Sequence, residues 1–304
     1  MKIITVTLSP AYDIHCSTPS LELGAENTAS ITSFDAGGKG VNLSRALFAM
    51  GRESAAIVAL GKENSCAFLG SMTEPGIAYK PITVSGRIRE NITVHTPTGE
   101  TRLSFKPLPY ERGLLEKAEA EILGLIEKGS TVVFAGKLPE GIKESGFAAS
   151  LLRIKEKGAR IVIDSGSVTV RDVAEIKPYL IKPNLAELSA LVGRELDTAE
   201  RIKAAAAEVA ALGAENVLLS MGADGAMLFG SLGEHFIAAP RIEAVSTVGA
   251  GDSLLAGFLF AESKGLGIAE SLRWAVAAGS AACLREGTAP PELAVMKKII
   301  EDMQ

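Results

Sequence analysis

Short apolar runs alternate with longer segments of helical period over most of the chain. The runs "IITVTL" (3–8), "AAIVAL" (55–60), "TVVFAG" (131–136), "ARIVID" (159–164), "YLIKPN" (179–184) and "NVLLSM" (216–221) lack clean apolar–polar alternation. That is the pattern of strands covered on both faces, as in a parallel sheet. Between them, "RGLLEKAEAEILGLIEKG" (112–129) and "TAERIKAAAAEVAALG" (198–213) read as helices. The first carries Leu114, Leu115, Ala118, Ile122, Leu125 and Ile126 on one stripe and stops at Gly129. This rhythm predicts an α/β fold, a doubly wound and mainly parallel sheet with right-handed crossovers.

One region keeps a different period. In "RIRENITVHTPTGETRLSF" (87–105), Ile92 and Val94 share one face, Thr93 and His95 the other, and "PTGE" supplies a turn. A half-exposed hairpin is expected there, with the irregular stretch 12–34 as its partner. Residues 1–304 therefore read as one domain, interrupted by a small β-lid subdomain built from segments of about 12–34 and 84–106.

Composition narrows the function classes. Hydrophobic residues make up 47% of 304, enough for a sizeable core. A net charge of -5 argues against a nucleic-acid partner, while leaving room for a local basic pocket. Cys16, Cys66 and Cys283 are widely spaced and form no CxxC, and His15, His95 and His235 lie far apart. Neither a disulfide framework nor a zinc site is suggested, and each histidine reads as a partly exposed polar residue. No stretch reaches the ~18 to 20 apolar residues that cross a bilayer, and the amino-terminal run is too short for a signal peptide. A cytoplasmic protein with no membrane partner is expected.

Four polar stretches could carry chemistry. In "STVGAGDS" (246–253), small residues precede Asp252 at the start of an apolar helix. Amides at a helix start are unpaired donors and attract anions. The segment suits phosphoryl transfer to an alcohol, with Asp252 as base, or equally a glycine-rich turn capped by Asp252. "DAGGKGVN" (35–42) offers Lys39 among glycines, as a phosphate loop or as a turn with a solvated lysine. It is no P-loop, because the GK pairs at 38–39, 61–62 and 136–137 are never followed by Ser or Thr. In "KPNLAEL" (182–188), Asn184 and Glu187 form either a polar cap or water-mediated support for Mg2+. "SMGADGA" (220–226) is a nucleotide edge or a plain β-turn.

Taken together and in order, these stretches, with "LSPAYD" (8–13) and "VAAGSAACLREGT" (276–288), strongly resemble the ribokinase-like sugar kinases of the phosphofructokinase B branch. The resemblance spans essentially the whole chain. It implies an ATP- and Mg2+-dependent kinase acting on a sugar hydroxyl, with Asp252 as catalytic base and the amides of Gly249, Ala250 and Gly251 as anion hole. It places Asp13 on sugar hydroxyls, Gly38, Lys39 and Asn42 in the sugar-side loop, and Arg89 on the substrate phosphate. Lys182, Asn184 and Glu187 belong by resemblance with the ATP phosphates and metal. Ser220, Gly222, Gly225, Thr247 and Gly279 line the nucleotide side, and the β-lid implies a homodimer.

Within the branch, "GGKG" looks like 1-phosphofructokinases and tagatose-6-phosphate kinases, whereas "RENITVHT" and "VAAGSAACLREGT" also look like minor 6-phosphofructokinases. The sequence departs from the family in "AGKLPEG" (135–141), where Lys137 stands in place of the usual serine. Lys39, Arg89 and Lys137 are expected to converge on an acceptor that already bears a phosphate. The leading expectation is conversion of fructose 1-phosphate to the 1,6-bisphosphate. Phosphorylation of tagatose 6-phosphate, or a minor 6-phosphofructokinase activity, is the near alternative, a nucleoside or free-sugar kinase the more distant one, and a non-catalytic sugar-phosphate sensor the alternative of a different class.

Overall fold

A computed structural model describes residues 1–107, 109–143 and 146–303. In chain order the strands are β1 (Ile3–Thr7), β2 (Ala11–Ser17), β3 (Ser30–Gly37), β4 (Ser54–Gly61), β5 (Ile77–Val84), β6 (Arg89–Thr96) and β7 (Gly99–Leu103). They continue with β8 (Thr131–Ala135), β9 (Arg160–Asp164), β10 (Leu180–Ile181), β11 (Asn216–Ser220), β12 (Ala226–Gly230) and β13 (Gly233–Ile237). A 9-stranded sheet has the order β13-β12-β11-β10-β9-β8-β1-β4-β5. It is parallel from β5 to β11, and β12 and β13 close that edge antiparallel. The mainly parallel α/β sheet thus stands as expected.

Side-chain alternation explains why both faces of this sheet are covered. On β8, Val132 and Phe134 point into one core and Val133 and Ala135 into the other. The first core takes the apolar stripes of helices Leu114–Leu125, Phe147–Glu156 and Ala199–Leu212. The second takes helices Lys39–Ala49, Ala250–Ser263 and Ile268–Cys283. Residues 252–261 are buried, so helix Ala250–Ser263 is apolar nearly all round because it is wrapped nearly all round. Each fully covered large side chain there, such as Phe258 or Leu259, contributes about 1.5–3 kcal/mol. Gly257 admits helix Ile268–Cys283, since a Cβ would lie 2.4 Å from the Trp274 carbonyl oxygen.

A separate 4-stranded sheet, β3-β2-β6-β7, is built from the segments expected to form the lid. β2 runs antiparallel to β3 and parallel to β6, and β6 and β7 form the hairpin. Ile92 and Val94 do share a face, but the polar face is the covered one: Asn91 and Thr93 are buried and Ile92 and Val94 are not. The reason is position. Asn91 pairs in register with Asp13 on the side that closes over the carboxyl ends of β1 and β8.

Candidate active site

In open α/β sheets a ligand crevice forms beyond the carboxyl ends of the strands, where strand order reverses. Here the reversal lies between β1 and β8; Ser9 is the second residue past β1, and Gly136 the first past β8. The residues that leave the strand ends on this side line one cleft of about 860 Å³. It is lined by every residue expected to bind or catalyse except Glu187, which lines an adjoining cavity of about 390 Å³ together with Lys182.

Asp252 stands at the middle of the cleft, 6% exposed. Its helix starts at Ala250, where Gly249 adopts the left-handed conformation (φ 78°) and caps it. The first intrahelical bond runs from the Ser253 N–H to the Gly249 carbonyl, 2.9 Å. The amides ahead of it are the orphan donors of the helix start. The Ala250 amide is a partial exception to the expected anion hole, since it turns back to the Thr247 carbonyl at 3.4 Å.

Asn42 Nδ2 donates to Asp252 Oδ2 at 2.9 Å. Burial, and then the charge of Asp164, push the Asp252 carboxyl up to about 7 against the opposing pull of Lys39, Asn42 and Lys182. A carboxyl poised near neutrality is suited to take a proton from a substrate hydroxyl.

Asp164, which the sequence reading missed, ends β9 and is fully buried. Lys39 Nζ lies 2.7 Å from Asp164 Oδ1 and 3.5 Å from Glu187 Oε1, and Lys182 Nζ lies 3.4 Å from Asp164 Oδ2. Burial works against the Lys39 charge, but Asp164, Asp252 and Glu187 outweigh it and hold the ammonium above its ordinary value. Lys39 therefore lines the cleft with its charge turned toward carboxylates. Lys182 also backs the helix start, since a Cβ on Gly251 would lie 3.2 Å from its Nζ.

The lid supplies the other end of the cleft. Asn91 Nδ2 donates to Asp13 Oδ1 at 2.9 Å, and Arg102 from β7 approaches the same oxygen at 3.4 Å. Arg89 donates to the carbonyls of Ser9, Pro10 and Phe105, each at 3.3 Å. Lys137 is exposed. Lys39, Arg89 and Lys137 all line the cleft, but Lys39 faces carboxylates and Arg89 backbone carbonyls, and Arg102 joins them as a residue the sequence reading missed. Ser9 Oγ and Asn42 Oδ1, both buried in this wall, have no hydrogen-bond partner among the described residues.

The far end is walled by backbone. Gly279 lets its helix approach Ala250, since a Cβ would lie 3.3 Å from that carbonyl, whereas Gly38, the N-cap of helix Lys39–Ala49, lies toward the lid, where a Cβ would be 3.2 Å from Pro10 Cα. Gly222 and Gly225 form the turn between β11 and β12, where a Cβ on Gly225 would meet the Ile237 carbonyl at 2.1 Å. Ser220 bridges to Asn184. Asn184 and Glu187 form a reciprocal capping box: Glu187 N–H donates to Asn184 Oδ1 (2.8 Å) and Asn184 N–H to Glu187 Oε2 (3.0 Å).

Of the three histidines, His95 and His235 are partly exposed, as expected, and His15 is not. His15 is buried, and its Nδ1 lies 3.0 Å from His95 Nε2, so the lid pairs two residues distant in sequence. Among the described residues no helix is long and apolar enough to cross a membrane.

The sequence and the fold were compared with known proteins. The family model described as pfkB family carbohydrate kinase matches residues 5–294. The chain is 32% identical to a 1-phosphofructokinase of Haemophilus influenzae over 305 residues, covering 100% of this chain and 97% of that one. It is 30% identical to a 1-phosphofructokinase of Escherichia coli over 299 residues, covering 97% and 96%. Phosphofructokinase-2 from Escherichia coli, crystallised with substrates and products, superposes with a TM-score of 0.90 at 28% identity, covering 100% and 99%. A ribokinase from Thermotoga maritima shares the fold, with a TM-score of 0.77 at 19% identity, covering 99% of each chain. With the match running nearly end to end and the acid, the glycine turns and the lid lining one cleft, the chain belongs to the pfkB family of carbohydrate kinases.

Proposed function

We propose that the protein transfers the γ-phosphoryl group of ATP to a hydroxyl of fructose 1-phosphate, giving fructose 1,6-bisphosphate. The observation that carries this reading is the setting of Asp252. It is a buried acid poised near neutrality, at a helix start, between a lid-covered polar end and a glycine-walled end of one cleft. The names of the relatives support the choice of sugar phosphate.

In this reading Asp252 takes the hydroxyl proton as the oxygen attacks phosphorus, and the ADP oxygen leaves in line. The amides at the helix start, chiefly those of Gly249 and Gly251, stabilise the transferring phosphoryl with Lys182 behind them. Asp13, Asn42 and Ser9 hold sugar hydroxyls, the last two through atoms that otherwise lack partners. Arg89, Arg102 and Lys137 hold the phosphate already on the sugar. The nucleotide lies along Asn184, Ser220, Gly222, Gly225, Thr247 and Gly279.

Mg2+ supplies charge neutralisation on the ATP phosphates when bound. Asn184 Oδ1 and both Glu187 oxygens already face protein donors, so these residues fit contact through water rather than direct ligation. A homodimer through the outer face of the lid belongs to the same proposal.

The test is a coupled-assay panel of phosphorylated and free hexoses. A charge-assisted phosphate contact is worth roughly 1.5 to 3 kcal/mol, so Arg89→Ala should lower kcat/KM for fructose 1-phosphate by about one to two decades. Lys137→Ser should weaken the preferred sugar phosphate and leave the KM for ATP unchanged. A wild-type preference for a free hexose would refute the reading, and a preference for tagatose 6-phosphate would replace the sugar while keeping the chemistry.

A further inference from the structure

Two carboxylates from different elements share one cation at the back of the cleft. Asp164 ends β9, Glu187 lies in the first turn of helix Leu185–Val192, and the ammonium of Lys39 sits 2.7 Å from the first and 3.5 Å from the second. Lys182 closes the other side of Asp164 at 3.4 Å. Two ammonium groups thus face Asp164 and Glu187 directly, with Asp252 acting on Lys39 as a third acid, where Asp164 and Lys182 are 0% and 3% exposed. A buried carboxylate left without a counter-charge would be strongly destabilising.

The local backbone aims Lys39 at this place. It is the first residue of helix Lys39–Ala49, and Gly40 presses that helix start onto β1, where a Cβ would lie 2.4 Å from Thr7 Oγ1. The lysine stem then runs close to Gly136, with a Cβ there 3.9 Å from Lys39 Cβ, and ends at Asp164. On the far side, Gly166 leaves room for Glu187, since a Cβ would lie 3.1 Å from its Oε1.

A protein-held Mg2+ or Mn2+ needs several hard oxygens free to face it. Among the described residues no three or more acidic, histidine or cysteine side chains converge in that way. Glu187 Oε2 faces the Asn184 N–H, its Oε1 and Asp164 Oδ1 face Lys39, and Asp164 Oδ2, without a hydrogen-bond partner among the described residues, has the Lys182 ammonium 3.4 Å away.

We infer that Lys39 is a built-in cation: its ammonium takes the place between Asp164 and Glu187 that a divalent ion would otherwise hold, so divalent metal enters this site only on the nucleotide. The inference deepens the kinase reading and rests on it for its catalytic consequence.

The test is titration of nucleotide-free protein with Mn2+, reading free Mn2+ by electron paramagnetic resonance. Wild type and the charge-retaining Lys39→Arg should show no site at Asp164. Lys39→Ala should bind one Mn2+ per chain at least about tenfold more tightly than wild type, about 1.4 kcal/mol. The double variant Lys39→Ala/Asp164→Asn should lose that site. In turnover at fixed nucleotide–metal complex, free Mg2+ should leave the wild-type rate flat and raise that of Lys39→Ala.

Folded Lys39→Ala that binds no Mn2+ would overturn the inference. So would wild-type protein that binds Mn2+ without nucleotide and loses it on Asp164→Asn, a result that stands even if Lys39→Ala fails to fold. Because Mn2+ binding involves neither sugar nor ATP, failure of the kinase reading would show separately, as absence of phosphorylated product.

Discussion

Burying a carboxylate costs several kcal/mol unless donors or cations compensate it, and Asp252 keeps one donor, Asn42. Its carboxyl titrates near 7 in the fold against an ordinary 3.8, so the native state binds this proton more tightly than the unfolded chain does. Stability from this group is therefore present at low pH and lost as pH rises between about 4 and 7. Asp252→Asn should be more stable than wild type at pH 8, on the order of a few kcal/mol, with the gap closing toward pH 4. Denaturant melts at both pH values check this, and a gap independent of pH would contradict it. The same ionisation should make kcat/KM climb with pH through about 7, because the base must be charged to accept a proton. His15 and His95 show the limit of reading single residues, since nothing in their spacing signals that the lid stacks them together.

At the scale of elements, the parallel strands were legible because a strand buried on both faces reads as a continuous apolar run. β5 was not: it is an edge strand containing Pro81 with alternating exposure, and its pattern resembles a loop. β10 shrinks to Leu180–Ile181 because Pro183 follows almost at once. The hairpin of the lid was legible from its alternation, but the covered side was not, because a sheet that closes over a polar cleft buries its polar face. Asp164 escaped notice for a related reason. An aspartate ending "ARIVID" looks like the start of a turn, and only the lysines from two other elements reveal it as the hub of a charge cluster. The Asn184–Glu187 box gives a prediction that separates capping from metal support. Glu187→Ala should cost about 1 kcal/mol of stability through loss of the reciprocal cap. Glu187→Gln retains the cap, so it should melt like wild type yet need more Mg2+ for half-maximal rate. A Mg2+ titration unchanged in both variants would leave Glu187 a capping residue alone.

Over the whole molecule, the lid leaves its apolar side only partly covered. Phe34, Ile14, Ile92 and Leu103 are consecutive neighbours across four strands, and Ile31 beside them is 68% exposed. If two chains associate through this face, Ile31→Lys/Phe34→Lys should convert a dimer to a monomer by light scattering, whereas a wild-type monomer would contradict the proposed assembly. The central claim concerns chemistry in the cleft, and product identity tests it most directly. Wild-type protein incubated with ATP, Mg2+ and fructose 1-phosphate should yield fructose 1,6-bisphosphate by phosphorus-31 NMR. Asp252→Asn should form it more slowly by a factor of about 10² to 10⁴ at unchanged ATP affinity. Formation of no bisphosphate by the wild type, or equal rates for wild type and Asp252→Asn, would contradict the account.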